Sequence, residues 1–107
     1  MSNVDTAAIR PVRLDERLAQ FDEFWAPRIV GELNGQQLKL AKFKGDFVQH
    51  QHEHQDELFM VLSGHLYIEL MDRTVEVEAG QFVIIPRGVL HRPFAKQETH
   101  VLLLEPA

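Results

Sequence analysis

Three of the six histidines fall at every second position, His50, His52 and His54, and the acids Asp56 and Glu57 follow at once. Alternate residues of a β-strand project to the same side, so His50 and His52 would present their imidazoles together. Imidazole pairs of this kind are ligands for borderline divalent metals. A further candidate, His91, follows the turn Pro86-Arg87-Gly88, whose restricted backbone fixes its direction. His50, His52, Glu57 and His91 would hold a divalent ion through imidazoles and a carboxylate, with positions left for water or substrate. His54 shares the alternation and competes for the ligand role, whereas Asp56, adjacent to Glu57, points the opposite way. With its glutamate ionised such a centre carries a net charge of about +1, which favours a small anionic or enolisable ligand. Zinc or nickel would polarise a carbonyl as a Lewis acid, and iron with open positions would bind dioxygen and substrate together.

Short strands are needed to place these groups, and the chain supplies them. Leu14, Leu18, Phe21 and Trp25 form one apolar stripe of helical period, so a short helix is expected over about 14–25, docked on the core and ended by Pro27. Residues 1–12 read as a loose N-terminal arm, and 13–107 as a single domain with its barrel over about 28–105. From Arg28 onward the period is that of strands: 29–33 and 37–43 joined at Asn34-Gly35, then 47–52, 57–63, 65–71, 74–78, 82–85, 91–94 and 99–105. A turn is expected at Gly45-Asp46, and a hairpin at Ser63-Gly64. Turn signals every 8–12 residues, with no helical period after residue 26, define an all-β sandwich or barrel and exclude a parallel βαβ sheet. Phe59, Val61, Leu66, Ile68, Phe82, Ile84 and Leu102 are expected to line it.

At 107 residues the chain forms one domain, and its net charge of -5 argues against general nucleic-acid binding. Without cysteine there are no disulfides, thiolate ligands or cysteine nucleophile, which fits a reducing, cytoplasmic setting. The opening residues lack the apolar run of a signal peptide, and no stretch is long enough to span a membrane.

The two histidine-bearing segments resemble the paired motifs of the cupins, specifically the small single-domain, RmlC-like members loosely called mannose-6-phosphate-isomerase-like. His50-Gln51-His52, Glu57 after four residues and Gly64 after six more match the first motif; Gly80, Pro86-Arg87-Gly88 and His91 match the second. The resemblance covers about 36–105, and the pairing of motifs makes it specific. It implies a double-stranded β-helix, the jelly-roll barrel, with one divalent ion (Zn, Fe, Mn or Ni) held inside by His50, His52, Glu57 and His91. The same spacing removes His54 from the ligand set. Two departures stand out: Gly45 lies one residue closer to His50 than the pattern, and Ala95 replaces the closing asparagine. Barrels of this family include isomerases, dioxygenases, decarboxylases and binding modules, so a non-catalytic sensing or storage barrel is the alternative to an enzyme. Gln49, Tyr67, Arg87 and Arg92 are candidates to support the ligands, and a phosphosugar isomerase would require Arg87 or Arg92 in the pocket. His65 and His100 read as structural. Small members of the family pair, and a homodimer through one sheet face is expected.

Overall fold

Asn34 and Gly35 adopt φ of 51° and 77°, the left-handed pair that a two-residue hairpin turn requires. They close strands β1 (Arg28–Leu33) and β2 (Gln36–Asp46) into a hairpin with Leu33 opposite Gln36. This is a computed structural model, and it describes residues 5–47 and 55–107. Five more strands follow: β3 (Glu57–Ser63), β4 (His65–Glu69), β5 (Thr74–Glu78), β6 (Phe82–Ile85) and β7 (Arg92–Pro106). All named pairings are antiparallel.

The long strand β7 is the spine. It runs beside β2 from Gln36↔Pro106 to Asp46↔Phe94, its later half pairs β3, and its first residues pair β4. β6 adds to β3, and β5 to β4. One strand therefore belongs to both halves of the sheet, which folds over a core of Ala41, Phe43, Phe59, Val61, Leu66 and Ile68, among others. The fold is all-β, a jelly-roll barrel with a short N-terminal helix, as the sequence suggests.

Several local expectations are corrected. The segments 91–94 and 99–105 are one strand, not two, because Lys96, Gln97 and Glu98 between them are exposed yet remain extended. Ser63-Gly64 is not a hairpin turn: β3 pairs β6 and β7, whereas β4 pairs β5 and β7. It is a corner at which the chain crosses from one half of the sheet to the other. Gly45-Asp46 stays within β2, where a register shift between Phe43 and Gly45 marks a bulge. Of the expected strand 47–52, Phe47 is in no strand and the rest lies outside the described residues.

The helix is shorter than its stripe: α1 spans Leu14–Leu18, not 14–25. Tertiary contacts take over the rest of the segment. Phe21 is buried, and its carbonyl accepts a hydrogen bond from Lys42 Nζ at 2.6 Å. Trp25 donates its backbone N–H to the Lys42 carbonyl at 2.8 Å and its Nε1 to the Lys44 carbonyl at 2.9 Å. Its ring stacks on Phe43 and Phe47, and its φ of 60° cannot belong to a helix. The stripe thus packs as a strap over β2, which is why Leu40 and Lys42 are buried on one face while Ala41 and Phe43 are buried on the other.

Parity is corrected in β6 and β7. Phe59, Val61, Leu66 and Ile68 are buried as expected, but Phe82 and Ile84 are 61% and 52% exposed. In β6 Ile85 is buried and Val83 packs against the core, and in β7 Val101 and Leu103 point inward while Leu102 does not. Phe82–Ile85 of β6 and Val101–Leu104 of β7 are apolar on both faces, so alternation carries no direction there.

Candidate metal centre

Pro86, Gly88 and Val89 build the turn that aims His91. Val89 N–H closes on the Pro86 carbonyl at 3.3 Å, and Gly88 takes φ 80°, a left-handed conformation that costs glycine little. The Val89 carbonyl then lies 2.8 Å from His91 Nδ1. A carbonyl only accepts, so Nδ1 carries the hydrogen and, in the neutral ring, Nε2 carries the lone pair. That nitrogen faces Glu57 Oε1 at 3.3 Å. His91 is 1% and Glu57 7% exposed.

Two buried acceptors face to face require a cation between them, a proton or a metal ion. Burial favours the neutral ring, but the hydrogen bond to Glu57, the Val89 carbonyl and the charge of Glu57 outweigh it and raise the His91 pKa above the usual 6.5. The donors also suit a metal. Nitrogen and oxygen ligands each about 2.0–2.2 Å from one ion stand roughly 3 Å apart. Moreover, a ligating histidine characteristically donates its other nitrogen to a carbonyl, as His91 does to Val89.

Of the ligand set from the sequence, the structure brings Glu57 and His91 together; His50 and His52, with the competitor His54 and with Gln49, lie outside the described residues. Among the described residues, no group of three or more metal-binding side chains converges. Asp56 points away from Glu57, accepting the Arg87 backbone N–H at 2.9 Å. His100 contacts Glu98 at 2.7 Å, and His65 stacks on Tyr67.

Beside Glu57 a cavity of about 220 Å³ opens, lined by Trp25, Phe43, Phe47, Phe59, Pro93 and Leu103, among others, and by a second acid, Glu105. The chain offers no motif that marks Glu105; only the register of β7 against β3 carries it there. Glu105 Oε1 accepts from Lys39 Nζ at 2.7 Å. Burial and the hydrogen bond with Glu57 raise its pKa above 4.5, against the lowering effect of Lys39. Among the described residues, no arginine lines this cavity. Arg87 is bound to Asp56 on the surface, and Arg92 is tied to Asp46 and Glu69 and lies over the Phe94 ring. Arg92 thereby holds the Glu69 carboxyl below its usual range. Tyr67 stacks on Phe94 and takes no part in the cavity.

The family model described as a cupin domain matches residues 39–105. A cupin-2 domain containing protein from Shewanella frigidimarina, known from its crystal structure, is 38% identical, with 90% of this chain and 94% of that one covered and a TM-score of 0.89. A Neisseria meningitidis protein of known structure is 26% identical, with 92% and 100% covered and a TM-score of 0.83. The uncharacterized protein YdbB of Bacillus subtilis is 36% identical over 77 residues, 71% of this chain and 68% of that protein.

Proposed function

The chain belongs to the cupin family, and on that premise we propose that its barrel holds one divalent metal ion through His50, His52, Glu57 and His91 and binds or transforms a small carbonyl-containing metabolite beside it. The observation that carries this reading is the buried His91–Glu57 couple, its tautomer set by Val89, of which Glu57 lines a largely apolar cavity. The metal would supply Lewis acidity toward a carbonyl or, as iron, redox chemistry with dioxygen. The chain's own residues supply the rest: Trp25, Phe43 and Phe59 exclude water, and Glu57 and His91 are held in fixed orientation. The cavity wall presents carboxylates and no cation among the described residues, so an anionic ligand would rely on the metal alone, and a phosphosugar loses the arginine partner it needs.

The alternative, a sensing or storage barrel, is favoured by one feature. Among the described cavity residues the titratable groups are Glu57 and Glu105, the former assigned to the metal and the latter engaged by Lys39, which leaves no separate general base. Trp25 is the chain's single tryptophan and lines the cavity, so its emission reports occupancy. Titration of zinc-loaded protein with acetylacetone and pyruvate as probes is expected to change that emission saturably, with no such response in the metal-free protein. A flat titration to millimolar probe would contradict ligand binding at the centre, and conversion of a bound probe would separate enzyme from binding barrel.

We further propose a homodimer in the cytoplasm. The net charge of -5 gives no basic footprint for nucleic acid, and among the described residues no helix is long and apolar enough to cross a membrane. The outer face of β6, β3 and β7 supports pairing. Exposed Phe82 and Ile84 register with Met60 and Leu58, which in turn register with Leu102 and Leu104. A continuous apolar sheet face of this kind is characteristic of an interface between copies. Sedimentation velocity at micromolar concentration is expected to give a dimer for the native chain and a monomer for Ile84→Glu; a native monomer would contradict the pairing.

A further inference from the structure

The segment that precedes the helix buries nothing against its own barrel. Residues 5–13 are exposed without interruption, a longer exposed run than any other among the described residues. They are nonetheless built. Asp5 caps a 3-10 turn at Thr6–Ala8 by accepting the Ala7 N–H at 2.9 Å, and Arg10 Nε returns to the Ala7 carbonyl at 3.3 Å. Beyond it the backbone is extended at Ile9 (φ -81°, ψ 102°) and at Arg13 (φ -89°, ψ 111°), and Pro11 restricts Arg10 to the same region. A proline-bearing extended run repeats after about three residues, which puts Ile9 and Val12 on one side. These two apolar side chains are 72% and 45% exposed. The molecule is long, 51 × 31 × 22 Å, and its radius of gyration of 15.0 Å exceeds the about 13 Å of a compact chain of this length.

The arm is rooted on the side of the apolar sheet face. α1 follows it directly and lies against β2, where the strap covers Leu40 and Lys42 on the outer side. Leu40 registers with Leu102 of β7, Leu102 with Met60 of β3, and Met60 with Phe82 of β6. Strap and uncovered patch therefore share one face. The patch falls short of an interface by itself: Phe82 and Ile84 are exposed, but Leu58, Met60, Leu102 and Leu104 are already half-buried. A large side chain offers at most about 150–250 Å², whereas a specific interface needs about 800 Å² from each partner. The arm brings further apolar surface to that side.

We propose that residues 5–13 are an exchange arm: each crosses to a second copy of the chain and lays Ile9 and Val12 over Phe82 and Ile84 of the partner subunit. It rests on the homodimer through this sheet face. A two-fold axis lets every chain give one arm and receive one, so both faces are covered alike.

The test compares the native chain with the double variant Ile9→Glu/Val12→Glu by sedimentation velocity over a concentration series. The dimer of the variant is expected to be at least about tenfold weaker, because two apolar side chains leave a buried site and charges would have to enter it. Met71→Glu, at an 82% exposed position between β4 and β5, is the control and is expected to dimerise as the native chain does. The arm buries nothing in its own chain, so the double variant folds. The chain has no cysteine, so Ile9→Cys/Ile84→Cys supplies the sole thiols for a short bismaleimide. A crosslink between chains, read as doubled mass, is the expected product; an intrachain crosslink or none would overturn the exchange. A native monomer at every concentration would overturn the homodimer together with the arm. A native dimer that Ile84→Glu dissociates and Ile9→Glu/Val12→Glu leaves intact would overturn the arm alone.

Discussion

Alanine at Gly64 is expected to destabilise the barrel by about 3 kcal/mol or more, from a left-handed backbone penalty of about 1–2 kcal/mol and overpacking of about 1–3 kcal/mol. The residue sits at the corner between β3 and β4 with φ 89°. A Cβ there would meet Thr99 Oγ1 at 2.5 Å and the Glu98 carbonyl and Thr99 Cα at 2.9 Å. Two of those contacts are backbone, and Thr99 has no freedom to retreat: it is fully buried, and its hydroxyl bonds both the amide and the carbonyl of His65. Gly80 provides the control, since its φ is 86° but nothing lies within 4 Å of its Cβ position. Gly80→Ala therefore carries the backbone penalty alone. For a domain of this size the predicted difference corresponds to a melting temperature roughly 10 °C lower for Gly64→Ala than for Gly80→Ala. Equal melting of the two would show that the corner is not sterically closed.

His91→Ala is expected to lower metal affinity by at least about tenfold, because loss even of a group that only supports a ligand costs about 10–100-fold. His91 is the one proposed imidazole ligand among the described residues, and its surroundings leave no room for a substitute: the ring is buried, edge-on to Phe59, with Nδ1 fixed on Val89. The variant also removes from the buried Glu57 carboxylate a partner at 3.3 Å. His100→Ala is the matched control, since His100 contacts Glu98 away from the cavity. Chelator competition on both variants decides the point; unchanged affinity in His91→Ala would remove it from the ligand set.

Features set by local chemistry were legible in the chain. Asn34-Gly35 made its hairpin, and Pro86-Arg87-Gly88 aimed His91 because the turn and the histidine are close in sequence. The partnership of His91 with Glu57 followed from paired motifs and is seen as a contact. What was not legible depends on contacts between distant segments. The stripe from Leu14 to Trp25 has helical spacing, yet hydrogen bonds from Lys42 to the Phe21 carbonyl and from Trp25 to β2 accompany a helix that ends at Leu18. The apolar runs Phe82–Ile85 and Val101–Leu104 look the same from either face, so only pairing with β3 reveals which side is inward. Ser63-Gly64 has the composition of a hairpin turn, but close packing on Thr99 makes it a corner. Glu105 looks like an ordinary strand-edge charge until the register of β7 against β3 brings it into the cavity that Glu57 lines, with Lys39 of β2 bound to it.

The most direct test of the metal centre is elemental analysis of protein purified without chelators or an affinity tag, with His52→Ala alongside. About one equivalent of Fe, Mn, Ni or Zn per native chain, lost in the variant, is the expected result, and the element found separates redox from Lewis-acid chemistry. Native protein without bound metal, unable to take any up on reconstitution, would contradict the account.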